Sequence, residues 1–148
     1  MYLTYIFFRA MVLLAQIMPY SLLYWFSDIV TFFLYRIIGY RKNLIFSQLK
    51  KCFPEKSESE IAKIAHDSYQ NLSDLLVETF KGMTFVESDI YARFRKKGEG
   101  WAQANAVTAS GSTFIGTGAH IANWEWAVLA MQVYLEGSVL GIYKPIQN

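Results

Sequence analysis

An uncharged, apolar segment near the amino terminus constrains the fold of this chain more than any other feature. Residues 10–27 are 18 consecutive positions without a charge, and beyond Asp28 the apolar sequence resumes through Tyr35. A helix of 18 residues is roughly 27 Å long, close to the hydrocarbon thickness of a bilayer. Only three of the 26 charged residues fall in the first 40 positions, which also hold 12 of the 25 aromatic residues.

Three interpretations of this segment compete. A cleaved signal peptide is disfavoured, because the apolar segment is too long and no small-residue cleavage site ends it. A pair of buried core helices is the alternative to a membrane anchor. The membrane anchor is the favoured interpretation. Arg36, Arg41 and Lys42 follow the segment, whereas only Arg9 and the amino terminus precede it. The positive-inside rule then places the remainder of the chain in the cytoplasm.

Proline 19 lies within the apolar segment and should kink or split its helix, because proline lacks the backbone N–H that a helix interior needs. We therefore predict a membrane anchor over residues 1–40, kinked at Pro19, and a second part over residues 41–148. The pattern does not distinguish a spanning anchor from a deeply interfacial one.

Charge and residue counts exclude several functions. A net charge of +2 is too small for the basic surface that nucleic-acid binding requires. The single cysteine, Cys52, cannot form an intramolecular disulfide, which fits a reducing cytosol. His66 and His120 are the only histidines, and no cluster with zinc-site spacing is present, so no metal site is predicted.

The middle of the chain predicts one long amphipathic helix. Ser57 and Glu60 form a capping-box pattern at its start, and apolar residues then recur at helical spacing until Lys81–Gly82. His66 and Glu78 lie within this helix, and we interpret both as structural residues. A shorter helix is predicted over 89–97.

That shorter helix carries a basic cluster of four residues, which are Arg93, Arg95, Lys96 and Lys97. Basic residues near a helix C-terminus are typical of a solvated helix end. A docking patch for an acidic protein or anionic headgroups is the alternative.

The last third of the chain predicts a helix over Trp101–Ala109 and then a βαβ unit. A buried strand is expected over Ser112–Gly116, a helix over Asn123–Leu135 and a second strand over Ser138–Tyr143. The two strands should be parallel with a right-handed crossover. The predicted fold class is therefore α/β: a membrane-embedded helix, further helices and the first βαβ unit of an incomplete sheet.

The candidate chemistry lies where the first predicted strand meets its helix. Asn123 is a good N-cap, so Glu125 would occupy the first helical turn and His120 would precede the helix and fold back towards it. A histidine oriented by a carboxylate is a general base, and the nucleophile can be the substrate's own hydroxyl. From spacing alone, the favoured interpretation is a helix-terminal carboxylate that lies near a loop histidine without a catalytic role.

The box from His120 to Glu125, with Asn123 and Trp124 inside it, resembles the signature of the lysophospholipid acyltransferase superfamily. More specifically, the chain resembles the bacterial lipid A biosynthesis acyltransferases of the lauroyl and myristoyl type. Three further segments carry the resemblance in the family's order, and they are 40–44, 53–57 and 141–148.

The resemblance implies a membrane-bound enzyme on the cytoplasmic face of the bacterial inner membrane. It would move a fatty acyl chain from an acyl thioester, on acyl carrier protein or coenzyme A, to a hydroxyl of a lipid A precursor, with no cofactor. His120 is implied as general base and Glu125 as its partner, and Asn123 and Trp124 as motif support. Lys144, where the family often has arginine, is a candidate contact for phosphate or the donor.

Two departures from the family pattern are visible. Ala122 replaces a glycine that usually precedes the asparagine, and the family normally runs about twice as far, so the chain resembles its N-terminal half. A glycerophospholipid or aminolipid acyltransferase is the nearest alternative function. A non-catalytic, membrane-anchored binding protein of the same fold is the alternative from another class.

Overall fold

A computed structural model of the chain describes residues 2–94, 100–117 and 123–141. By its internal contacts the chain divides into two compact units, Met1–Thr84 and Phe85–Asn148. This division groups the amino-terminal helices with the helices that follow them. The predicted functional boundary at residue 40 stays a prediction.

The described residues form seven α-helices. In chain order they are α1 Tyr2–Ile17, α2 Tyr20–Phe32, α3 Lys42–Cys52, α4 Glu58–Gly82, α5 Glu87–Arg93, α6 Gly100–Ala109 and α7 Trp124–Tyr134. A π-helical segment, Phe33–Ile38, continues α2 and ends at Gly39, whose φ of 61° is in the left-handed region. Glycine adopts that conformation without steric cost.

The α/β prediction is wrong, because the described residues contain helices and no strand. Residues 112–116 and 138–141, for which we predict strands, are neither helical nor paired in a ladder. Ile115 and Leu140 are each 92% exposed. A strand is stable only when a neighbour pairs with its backbone and another layer covers its apolar side chains, and neither condition is met within the part of the chain that the structure describes. The rest of the predicted second strand lies outside the described residues.

Pro19 separates α1 from α2, and a lysine from α4 donates hydrogen bonds to backbone carbonyl groups next to this break. In a continuous helix the carbonyl of Ala15 would accept from the N–H of residue 19, which proline lacks. The Lys81 ammonium donates instead to the carbonyl oxygens of Ala15 (2.7 Å), Gln16 (2.9 Å) and Met18 (3.0 Å). Its three N–H groups thereby match three carbonyls at the C-terminal end of α1, where a positive charge is also favourable.

Helix α4 is the packing centre of the first unit. It buries one residue per turn, at Ile61, Ala65, Tyr69, Ser73 and Val77. The buried residues of α2 also recur every fourth position, at Leu23, Ser27 and Thr31. Small side chains on both faces allow the two backbones to approach closely, and α1 and α3 pack on the same helix.

The capping box predicted at the start of α4 is confirmed. The Ser57 hydroxyl accepts from the Glu60 N–H, and the Glu60 carboxylate accepts from the Ser57 N–H at 2.9 Å and its hydroxyl at 2.7 Å. These bonds stabilise the ionised carboxylate, first through the Ser57 side chain and then through its backbone, and lower the pKa of Glu60.

One segment among the described residues is long and apolar enough to cross a membrane. It is Tyr20–Ile38, with 19 residues and a mean hydropathy of 1.3. Helices in the core of soluble proteins pass the same test, so this finding alone supports a membrane anchor only weakly.

We expect the Lys81→Met substitution to destabilise the first unit by about 2 kcal/mol, because the charge-assisted bonds to three carbonyls are lost while the side-chain volume is kept. The measurement is denaturant unfolding in detergent, followed by far-ultraviolet circular dichroism. Lys63→Met is the matched control, since Lys63 is exposed on the same helix and should change stability little. Equal stability of the two variants would contradict this role for Lys81.

We expect Ser57→Ala to raise the pKa of Glu60 towards its ordinary value. The folded-state pKa is depressed, so this carboxylate stabilises the fold above the ordinary glutamate pKa, and that contribution is lost as pH falls through the lowered value. A carbon-detected NMR titration of the Glu60 carboxyl measures the change. Ser68→Ala, an exposed serine further along α4, should leave that titration unaltered.

Candidate active site

The site is built on the first turn of α7. The side-chain oxygen of Asn123 accepts a hydrogen bond from the Trp126 N–H at 3.0 Å, which confirms the predicted N-cap. Glu125 lies in that first turn. The helix dipole at this end favours a negative charge, so the position suits an acidic side chain.

An aromatic and cationic contact holds this turn against the rest of the second unit. Trp126 is 7% exposed, and its ring centroid lies 4.7 Å from that of Phe85. The Arg93 guanidinium carbon lies 5.5 Å from the centroid of the Trp126 ring, a cation–π distance. The start of α7 is therefore fixed by the packing of Trp126 as well as by the cap.

The far end of α7 is held by polar contacts. Asn105 on α6 donates to the carbonyl of Tyr134 at 3.1 Å and accepts from the N–H of Glu136 at 3.1 Å. The Tyr134 hydroxyl donates to the carbonyl of Phe94. Tyr134 also belongs to the buried cluster of this unit with Ile90 and Ala130. Contacts therefore hold α7 at both of its ends, and Glu125 lies on a helix whose position is fixed within this unit.

A hydrogen bond within α5 perturbs the titration of a tyrosine beside the buried cluster of the second unit. The Tyr91 hydroxyl donates to the Glu87 carboxylate at 2.9 Å, and this bond raises the pKa of Tyr91. The hydrogen bond favours the protonated phenol. Tyr91 is thus kept neutral, and its ring packs on Tyr134 with centroids 5.5 Å apart.

The structure brings three of the predicted site residues together at the start of α7. They are Asn123, Trp124 and Glu125. His120 and Lys144 lie outside the described residues, so the pairing of His120 with Glu125 stays a prediction. Trp124 is 38% exposed, whereas the neighbouring Trp126 is buried.

The residues interpreted as structural have contacts that agree with that interpretation. Glu78 accepts a hydrogen bond from the Tyr24 hydroxyl, and the exposed His66 packs edge-on against Tyr35 with ring centroids 5.3 Å apart. Within the described ranges, no group of three histidine, cysteine or acidic residues could hold a metal ion.

Sequence reasoning missed the contact made by Arg93. It interpreted this residue as part of a solvated helix end or a docking patch, whereas its guanidinium packs on Trp126. The other members of the basic cluster lie outside the described residues. The available signal was Trp126 itself, just after the motif, since an arginine guanidinium is attracted to the face of a tryptophan ring.

Comparison with protein families decides the descent of the chain. The model of the bacterial lipid A biosynthesis acyltransferase family matches residues 1–148. The chain belongs to this family. Membership implies an acyltransferase of lipid A biosynthesis, which takes an acyl donor and a lipid acceptor. Neither a curated protein sequence nor a solved structure matches the chain significantly.

We expect Asn123→Ala to destabilise the second unit by about 1 kcal/mol, because the Trp126 N–H loses its acceptor at the helix start. The measurement is thermal unfolding monitored by tryptophan fluorescence. Asn123→Asp retains a capping oxygen and should keep most of the stability. A loss as large in Asn123→Asp as in Asn123→Ala would show that the cap is not the reason.

Proposed function

We propose that this protein transfers a fatty acyl chain from an acyl thioester to a hydroxyl of a lipid A precursor or a related membrane lipid. His120 acts as the general base, and Glu125 orients it. The observation that carries the proposal is the family match over residues 1–148, which includes the box from His120 to Glu125. The location of Glu125 in the capped first turn of α7 supports it.

The proposed reaction requires one base that later returns its proton. His120 removes the proton of the acceptor hydroxyl as its oxygen attacks the thioester carbonyl, and a tetrahedral intermediate forms. When the intermediate collapses, the carbon–sulfur bond breaks and the thiolate receives the proton from His120. The products are an ester on the lipid and a free thiol.

Glu125 contributes through the histidine. A carboxylate bonded to one imidazole nitrogen selects the tautomer whose other nitrogen can accept a proton, and it stabilises the imidazolium that forms. The first turn of α7 keeps that carboxylate in place, because its N-cap and the packing of Trp126 fix the turn. Asn123 thus supports the motif by forming the helix start that carries Glu125.

The donor and the acceptor are proposed by class. The donor is an acyl thioester of acyl carrier protein or coenzyme A, and Lys144 is the candidate contact for its phosphate or for that of the acceptor. The acceptor is a membrane lipid, so we place the enzyme at the bacterial inner membrane with the reaction on the cytoplasmic face. The apolar amino-terminal helices and the basic residues after them support this location.

We expect His120→Ala to lower the rate of acyl transfer by about 10²–10⁴-fold, the usual contribution of a positioned general base. Glu125→Gln should lower it as well, because an amide does not stabilise the imidazolium. The measurement is transfer of a radiolabelled acyl chain from acyl carrier protein to a lipid A precursor in membranes. His66→Ala is the matched control, since it removes the other histidine.

Each result of this experiment has a distinct meaning. Unchanged transfer by His120→Ala would contradict the assignment of the base. Transfer to a glycerophospholipid in place of the lipid A precursor would contradict the acceptor class and leave the base in place. Absence of transfer to any acceptor by the unaltered chain would support a binding protein of the same family.

A further inference from the structure

Helix α2 runs antiparallel to α4 for most of its length. The residue pairs in contact, in order along α2 and the π-helical segment that continues it, are Tyr24 with Glu78, Ser27 with Asp74, Asp28 with Gln70, and Tyr35 with His66. Positions on α2 ascend while positions on α4 descend, so the two helices lie side by side. The bond from Ser27 to Asp74 is 2.6 Å long, and that from Gln70 to Asp28 is 2.9 Å.

The segment of α4 that lies beside α2 is too polar for hydrocarbon. It exposes His66, Asp67 and Asn71 on its outer side, and it directs Asp74 and Glu78 towards α2. If α2 crossed the bilayer, its side-by-side pairing would carry this segment of α4 into the hydrocarbon with it. Charged side chains in that environment are costly and rare. The pairing therefore conflicts with a spanning α2.

The side of α2 that faces away from α4 has the opposite character. Leu22, Trp25, Phe26 and Phe33 recur there at helical spacing, and their exposed fractions are 45%, 60%, 38% and 50%. Helix α1 adds a further set of large exposed apolar residues, which are Tyr2, Leu3, Tyr5, Ile6, Phe7, Phe8, Leu13, Leu14 and Ile17. An apolar side of this extent on a helix with a polar opposite side is typical of helices that lie in a membrane surface.

The basic residues that follow α2 also suit a helix that lies in a membrane surface. Arg36 and Lys42 both contact the Tyr35 ring, and Arg41 follows on the connection to α3. An open groove of about 580 Å³ between α2 and α4 is lined by Asp28, Arg36 and His66 among other residues. Charged groups around an open groove suit the hydrated headgroup layer, where lysine and arginine also attract anionic lipids.

We propose that α1 and α2 embed in one leaflet of the membrane without crossing it, with α4 on the aqueous side. The partner of their apolar side is a bilayer surface containing anionic phospholipid. Leu22, Trp25, Phe26 and Phe33 enter the acyl-chain region, and Arg36 and Arg41 contact the headgroups. This proposal concerns the anchor alone and is tested without any substrate, so it stands or fails independently of the proposed reaction.

The depth of single spin labels in vesicles tests the proposal. The full chain in a Cys52→Ser background would carry one cysteine at Leu22, Trp25 or Phe33 on the apolar side, or at Asn71 on the outer side of α4, and all four positions are exposed. The labelled proteins are added to vesicles of phosphatidylethanolamine and phosphatidylglycerol. Relaxation by oxygen and by a water-soluble nickel complex then reports the depth of each label. The labelled native Cys52, which is exposed, provides the aqueous reference.

We expect depth to depend on the side of the helix pair that carries the label. The labels at Leu22 and Trp25 should be several-fold less accessible to nickel than the label at Asn71, although the pairing of the two helices places Asn71 beside the middle of α2. If α2 crossed the bilayer, depth would change smoothly along it, and Asn71 would lie in the hydrocarbon with it. A label at Asn71 as inaccessible to nickel as the label at Trp25 would overturn the proposal.

A second measurement covers the case in which a substitution alters the insertion of α2. A label at Leu3, near the start of α1, is exposed to ascorbate added outside the vesicles. If both helices remain in the outer leaflet, ascorbate should reduce the label in intact vesicles, although more slowly than a label at the aqueous Cys52. Protection until the vesicles are lysed would place the start of α1 on the far side and contradict the proposal.

Discussion

The bonds between the Lys81 ammonium and three carbonyls of the amino-terminal segment hold the first unit together. Pro19 interrupts the apolar sequence and leaves the end of α1 without its helical donors, and α4 supplies a replacement from more than 60 residues away. Because Lys81 belongs to α4, these bonds attach the break at Pro19 to the helix on which α1, α2 and α3 pack. The antiparallel pairing of α2 with α4 then follows, because α2 begins next to the point where α4 ends.

That pairing changes the interpretation of the apolar segment. By length and hydropathy alone, Tyr20–Ile38 passes as a membrane-spanning helix. Its polar residues, however, contact charged and polar residues of α4, among them Asp74 and Glu78. An amphipathic helix pair of this kind is suited to the membrane surface, where we place the proposed reaction. In the second unit, the capped start of α7 provides an equally defined position for Glu125.

The predictions that succeeded depend on local physical chemistry. The capping box of Ser57 with Glu60, the cap at Asn123 and the extent of α4 each follow from residues within a few positions of one another. The strands at 112–116 and 138–143 were predicted wrongly where described, since a short apolar run has no periodicity that separates strand from other structure. Whether it becomes a strand depends on a pairing partner, which the run itself does not specify. The predicted pairing of His120 with Glu125 remains untested.

The amino-acid sequence by itself determined the family, the helix starts and the apolar character of the amino-terminal part. These properties reside in motifs and in neighbouring residues, so no knowledge of distant contacts was needed. Only the tertiary structure decided which partner each helix end receives and which side of α2 is covered. Lys81 reaches its three carbonyls, and Arg93 reaches Trp126, across long separations in the chain. Such contacts follow from helix packing, and helix packing is a property of the whole unit.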